Sequence, residues 1–194
     1  EEFQALGVKF CLGDSYLDTL TDYDVVFRSP GMYYHNEKLQ EARKKGVVIT
    51  SEMEAFFALC PCKIYAVTGS DGKTTTTTLI SEFLAHAGFR VHKGGNIGRA
   101  LLPIIEDIRE EDVAVVELSS FQLLSMRQSP DVAVITNIAP NHLDVHGTME
   151  EYIYAKTNIL AHQDAFSRTI LNLDNEPTMN LASMVRGTLT TFSR

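Results

Sequence analysis

Cysteine is scarce in this chain, which has only Cys11, Cys60 and Cys62 among its 194 residues. So small and odd a number cannot build a disulfide framework. Cys60-Pro-Cys62 has one intervening residue where redox and zinc motifs have two, and two cysteines alone cannot close a zinc site. All three are expected to be structural thiols in a reducing cytoplasm. Basic residues are in deficit as well: 17 Lys and Arg against 25 Asp and Glu leave a net charge of -8. That balance speaks against a nucleic-acid partner, because neutralising phosphates needs a basic face. No apolar run approaches the ~20 residues that span a bilayer, which argues against a membrane-spanning role. The N-terminus, Glu1-Glu-Phe-Gln-Ala-Leu-Gly7, has neither the basic-then-apolar order of a signal peptide nor an initiator methionine. It is expected to be the cut edge of a longer chain.

What is present reads as α/β. Hydrophobic residues make up 44% and charged residues 22%, the balance of an ordinary globular protein. Short β-branched runs alternate with helical patterns, the signature of βαβ units around a parallel sheet. The first series predicts a strand ending at Phe27, a turn at Ser29-Pro-Gly31, a helix over 37–45 stopped by Gly46, and a strand at Val47-Val-Ile49. The second predicts a strand at Lys63-Ile-Tyr-Ala-Val67 and a helix whose apolar face is Leu79, Ile80, Phe83, Leu84 and Ala87, ended by Gly88. Further strands are predicted at Phe89-Arg-Val91, 113–116, 132–135 and 169–173, with a helix over 149–165 before the last. The Cys60-Pro-Cys62 segment is the best boundary, giving domains at 1–61 and 62–194.

Gly69-Ser-Asp-Gly-Lys-Thr74 lies between a buried strand and an amphipathic helix, the context that gives a phosphate-loop pattern its meaning. Glycines let backbone N–H groups close around phosphate oxygens, and the helix N-terminus adds its dipole. Lys73 would reach the β and γ phosphates and the Thr74 hydroxyl would face Mg²⁺, with Ser70, Asp71, Gly72 and Thr75 around them. The competing reading is a glycine turn capped by threonine, which leaves the lysine unexplained. The threonine run that follows suits a helix start. Glu117 stands where a buried strand ends, and ligands in open α/β sheets bind beyond the carboxyl ends of strands. A carboxylate there can hold magnesium shared with ATP, though an exposed strand-end glutamate is as plain a reading. His142 and Asp144 follow the next strand in the same way and point to a metal or substrate role. Gly94-Gly-Asn-Ile-Gly98 is a second glycine-rich loop, weak alone. Tyr152 and Lys156 share one helical face, and periodicity gives that lysine no more than a solvated role.

Together these segments resemble the Mur ligases of peptidoglycan synthesis. The resemblance rests on the shortened loop Gly69 to Thr74, Glu117-Leu-Ser-Ser-Phe-Gln-Leu123, Gly95-Asn-Ile-Gly98, Ser29-Pro-Gly31, Asn141-His-Leu-Asp-Val-His-Gly147 and Tyr152-x-x-Ala-Lys156. It covers nearly the whole chain and departs at Arg99-Ala100, where a proline commonly follows the Asn-Ile-Gly loop. It implies the end of an N-terminal Rossmann-like domain followed by part of a P-loop-containing parallel-sheet ATPase domain. It also implies a cytoplasmic, ATP- and Mg²⁺-dependent amide ligase working through an acyl phosphate, with Phe121-Gln122 marking the D-glutamate-adding members. The substrates would then be UDP-N-acetylmuramoyl-L-alanine and D-glutamate. Lys73, His142 and Lys156 would be catalytic, and Thr74 and Glu117 would hold one metal. His142 and Lys156, the lysine as its carbamate, would hold a second, and Asn96, Ser119, Gln122 and His142 would hold the substrate. The alternatives are another Mur or folylpolyglutamate-type ligase, or a nucleotide-binding module without turnover. With the amino-acid-binding domain outside this sequence, the 194 residues alone are not expected to ligate.

Overall fold

The structure, a computed structural model, describes residues 2–194. Its contacts divide into two compact units, 1–51 and 52–194.

The first unit contains α1 (Glu2–Ala5), a 3₁₀ turn at Leu20–Asp22, β1 (Val25–Phe27), α2 (Glu37–Lys44) and β2 (Val48–Thr50). The two strands run parallel with Val26 opposite Ile49. The Asn36 side chain caps α2 by accepting from the Lys38 amide at 2.9 Å. Leu39 and Ala42 of that helix pack with Val47 and Ile49 in a small core. This is the βαβ order that the alternating pattern predicts.

The second unit is one parallel six-stranded sheet. It opens with α3 (Glu52–Leu59), β3 (Lys63–Thr68), α4 (Lys73–His86) and β4 (Val91–Gly95). After these come β5 (Val113–Glu117), α5 (Ser120–Leu123), β6 (Val132–Ile135), α6 (Leu143–His146) and α7 (Met149–Ala161). β7 (Arg168–Asn172), α8 (Glu176–Met179) and β8 (Thr188–Phe192) complete it. The strand order is β4-β5-β3-β6-β7-β8, and every pairing is parallel. Successive side chains in a strand point to opposite faces, and here both faces are apolar, as a parallel sheet requires. Ile64, Ala66, Val116, Ala133, Ile135 and Leu171 share a core cluster with Phe56 of α3 and Tyr152 and Ile159 of α7. On the other face Tyr65, Val134 and Ile170 line a cavity of about 500 Å³ with Thr76 and Ile80 of α4. All five residues of β5 are buried.

Three expectations need correcting, and one strand was not foreseen. Packing divides the chain before α3, not at Cys60-Pro-Cys62, because Phe56 and Phe57 belong to the core of the second unit. Glu54 of the same helix pairs with Arg127 Nε at 3.0 Å, further inside that unit. The strand expected at 89–91 lies at Val91–Gly95 and includes two glycines. A Cβ on Gly94 would run into the Arg99 carbonyl and the Leu101 side chain, so glycine there is a device of close packing, not a loop signal. The helix expected over 149–165 ends at Ala161. Finally, β8 went unanticipated: Thr188-Leu-Thr-Thr-Phe192 is an exposed edge strand with no apolar alternation to betray it.

Candidate functional site

β3 is flanked by β5 and β6, and the carboxyl ends of these three strands carry the segments with chemistry in them. At the end of β3, Gly69 and Gly72 have φ of 152° and 75°. A Cβ on Gly69 would collide with the Thr136 hydroxyl, so only glycine lets the loop pass β6. The loop is then stitched to the segment after β6. Asn137 Oδ1 accepts from the Ser70 and Asp71 amides at 3.1 and 2.9 Å. The Thr136 hydroxyl donates to the Asp71 carbonyl at 2.6 Å. Ser70 Oγ donates to the Ala139 carbonyl at 2.8 Å and meets Tyr152 Oη at 3.0 Å. The cap of α4 is Gly72, with no side-chain hydrogen bond, so threonine does not cap this helix. Its first-turn amides have no intrahelical acceptors.

The Thr74 hydroxyl is used elsewhere: it donates to Glu117 Oε2 at 2.8 Å. Asn96 Nδ2 donates to Glu117 Oε1 at 2.9 Å. Glu117 is only 1% exposed, and among the described residues no cation forms an ion pair with it. A buried carboxylate held by two neutral donors is electrostatically incomplete. The backbone approach that makes this possible runs through Gly95, whose added Cβ would overlap the Glu117 carbonyl at a φ of +99°. Gly95→Ala is therefore expected to destabilise the unit by roughly 2–4 kcal/mol, from positive φ and overlap together. Gly88→Ala, at φ +95° with open space around it, isolates the first effect. Equilibrium urea unfolding should show the Gly95 variant losing clearly more than the Gly88 variant.

Two lysines converge on the Gly69 carbonyl. Lys73 Nζ donates to the Gly69 and Ser70 carbonyls at 3.1 and 2.9 Å. Lys156 Nζ donates to the Gly69 carbonyl at 2.9 Å and to Thr68 Oγ1 at 3.3 Å, and it lies 4.7 Å from the Tyr152 ring centroid. Lys156 is 1% exposed. Burial, with the nearby Lys73 charge adding to it, brings its pKa down from 10.5 to about 7. The solvated lysine allowed by periodicity is thus excluded. Both ammonium groups and Asn96, Ser119, Phe121 and His142 line a cavity of about 240 Å³.

His142 has φ 52°, the left-handed conformation, among residues that are otherwise glycine there. Its ring meets Phe121 edge-on at 5.4 Å. Phe121 stacks on His146 at 5.0 Å, and His146 Nε2 bonds Ser120 Oγ at 2.9 Å. Burial and then the His142 and Lys156 charges lower the His146 pKa. Not every predicted residue lines that cavity: Ser70, Asp71, Gly72, Thr74 and Glu117 lie outside its lining. Gln122 closes a capping box on α5, accepting from the Ser119 amide and hydroxyl at 3.0 Å each, and is 5% exposed. Thr75 and Asp144 are exposed and do not line the cavity. Conversely, Thr136, Asn137, Ser120, Tyr152 and His146 organise the site and were not among the candidates.

Comparison with known proteins bears on this arrangement. The sequence profile of the Mur ligase middle domain matches residues 67–194. A UDP-N-acetylmuramoylalanine--D-glutamate ligase of Acetivibrio thermocellus is 52% identical over 194 residues, all of this chain and 42% of the relative. The chain thus spans less than half the length of that protein. Among solved structures, the UDP-N-acetylmuramate:L-alanyl-gamma-D-glutamyl-meso-diaminopimelate ligase from Neisseria meningitides superposes with a TM-score of 0.63. The match has 16% identity and covers 98% of this chain and 65% of that one. E. coli FolC, solved in complex with DHPP and ADP, gives a TM-score of 0.53 at 18% identity, covering 70% of this chain and 44% of that one. At such identities the likeness is one of fold. The profile spans most of the sequence and begins at Val67, one residue before the end of β3: the chain belongs to the Mur ligase family and carries its middle domain.

Proposed function

We propose that this chain is part of an ATP-dependent ligase that joins D-glutamate to UDP-N-acetylmuramoyl-L-alanine in peptidoglycan biosynthesis. The carrying observation is that the phosphate-type loop, the unpaired Glu117 carboxylate and the Lys73–Lys156 ammonium pair converge at three adjacent strand ends. The 52% identical relative supports the choice of substrate.

The substrate's alanyl carboxylate would attack the γ-phosphorus of ATP, releasing ADP and leaving an acyl phosphate. The amine of D-glutamate would then attack the acyl carbon, lose a proton and expel phosphate. Such chemistry needs positioned reactants and neutralised charge more than a protein nucleophile. Lys73, presently bonded to loop carbonyls, would turn to the β and γ phosphates, and the amides from Gly72 to Thr75 would cradle them, those of Ser70 and Asp71 being held by Asn137. Glu117 and the Thr74 hydroxyl form an oxygen-rich set suited to Mg²⁺, which would neutralise phosphate charge when bound. His142 with the carbamate of Lys156 would serve a second ion. An amine with a pKa of about 7 is partly neutral at physiological pH, the form that combines with CO₂ and releases a proton. Asn96, Ser119 and His142 face the same cavity and would hold the muramoyl substrate, with Gln122 acting on it through Ser119. In this account the first unit, 1–51, belongs to a Rossmann-like UDP-substrate domain, the second, 52–194, begins the ATP domain, and the protein works in the cytoplasm. Among the described residues no helix is long and apolar enough to cross a membrane.

The metal assignment is tested by calorimetric titration of ATP with and without Mg²⁺. Glu117→Gln keeps the size of the side chain but removes its charge. It is expected to abolish the Mg²⁺-dependent gain in affinity, a loss of about tenfold or more. An undiminished Mg²⁺ effect in the variant would reject Glu117 as a ligand.

A further inference from the structure

The two thiols that precede β3 take no part in the chemistry above. Only Pro61 separates Cys60 from Cys62, and their Sγ atoms are 3.6 Å apart. Alternate residues of an extended chain share a face, and the fixed φ of proline holds that arrangement. Cys62 is 6% exposed and belongs to the core of the second unit, while Cys60 is half-buried at its margin. Both open onto a cavity of about 350 Å³ whose other walls include Lys63, Gln128, Ser129 and Asp131. A small solute can therefore reach Cys60, and Cys62 stands behind it within reach of a second exchange. The thiols are also unequal. A hydrogen bond from Cys62 holds the Cys60 thiol below its ordinary range, against the opposing effect of burial, and the same bond with burial pushes Cys62 well up.

We propose that Cys60 and Cys62 form a reversible dithiol–disulfide site, oxidised by low-molecular-weight disulfides that enter this cavity. Cys60 as thiolate attacks one sulfur of the incoming disulfide, forming a mixed disulfide and releasing one thiolate. Cys62 then gives up its proton and attacks Cys60 Sγ, so that the mixed disulfide breaks and the second thiol departs. Two electrons pass from the cysteine pair to the small disulfide, and the two thiol protons end on its two released halves. Because the closed ring contains a single intervening residue, the link gains little from chain constraint, and an excess of small thiol reverses it. The link would join the end of α3 to the start of β3, the strand that ends in the phosphate loop.

Cys11, exposed and in the first unit, provides an internal control. The protein is incubated with oxidised glutathione, quenched by alkylation and analysed by peptide mass. Cys11 should take up glutathione and keep it. The Cys60–Cys62 peptide should instead lose two hydrogen atoms, carry no glutathione and return to the dithiol with dithiothreitol. Cys62→Ser should leave a lasting glutathione adduct on Cys60. Two results would overturn the proposal: both thiols of the pair still free once Cys11 has reacted, or a glutathione adduct on wild-type Cys60 as long-lived as that on Cys11.

Discussion

Lys156→Met is expected to stabilise the fold while abolishing ligation. The ammonium group sits 1% exposed with no carboxylate among the described residues bonded to it, and burial brings its pKa from 10.5 to about 7. A lysine whose folded pKa lies below its unfolded value sheds its proton on folding. The penalty is complete below about pH 7 and is relieved as pH rises from there toward 10.5. At about 1.4 kcal/mol per pKa unit the penalty is at most about 4–5 kcal/mol. Methionine fills a similar volume without charge. It forfeits the hydrogen bonds to the Gly69 carbonyl and Thr68 hydroxyl, each worth about 1 kcal/mol, though Lys73 still donates to the first. A net gain of about 2 kcal/mol at pH 6 remains, and it should shrink steadily above pH 7. Urea unfolding at pH 6 and pH 9 in CO₂-free buffer checks this. A variant less stable than wild type at pH 6 would show that the lysine is structural. In wild-type protein supplied with ¹³C-bicarbonate, a carbamate carbon signal absent from the variant should accompany the functional role.

Lys73→Ala carries the second large effect. Lys73 is the cation at the mouth of the loop, and among the described residues it is bonded to the Gly69 and Ser70 carbonyls alone. Removing a charge-assisted phosphate donor from a site of this kind lowers affinity or rate by about 100- to 1000-fold. The substitution has a distant signature as well. The Lys73 charge is the second cause of the lowered Lys156 pKa, so its removal should raise that pKa and reduce the carbamate signal at neutral pH. Unchanged ATP binding by calorimetry would reject the loop assignment, and an unchanged carbamate titration would reject the coupling of the two lysines.

Much of this site was legible in the sequence because the α/β pattern fixes where chemistry lies. Once Lys63–Val67, Val113–Val116 and Val132–Ile135 read as buried parallel strands, Gly69–Thr74, Glu117 and His142 had to fall at their carboxyl ends, and they do. Which strands are neighbours was hidden, since the order β5-β3-β6 is not the order in the chain. For that reason Asn137 and Thr136, which pin the loop from the next strand, went unnoticed. Glycine misled in one place. Gly94 and Gly95 resemble a loop, yet they are strand residues trimmed to let Arg99 and the Glu117 carbonyl approach. The threonine run does open a helix, as read, but Thr74 turns its hydroxyl to Glu117 and the cap falls to Gly72. The capping box that absorbs Gln122 was present as Ser119-x-x-Gln122 and could have been read. The burial of Lys156 could not, since helical spacing says which face a residue is on and not what covers it.

The central claim is that these residues belong to a D-glutamate-adding ligase. It is tested most directly on the longest natural polypeptide that carries them. UDP-N-acetylmuramoyl-L-alanine and Mg·ATP are supplied with D-glutamate, L-glutamate or meso-diaminopimelate in turn, and ADP and amide product are measured together. The account predicts ADP released in step with amide product for D-glutamate alone. Equal turnover with another amino acid, or none with D-glutamate, would contradict it.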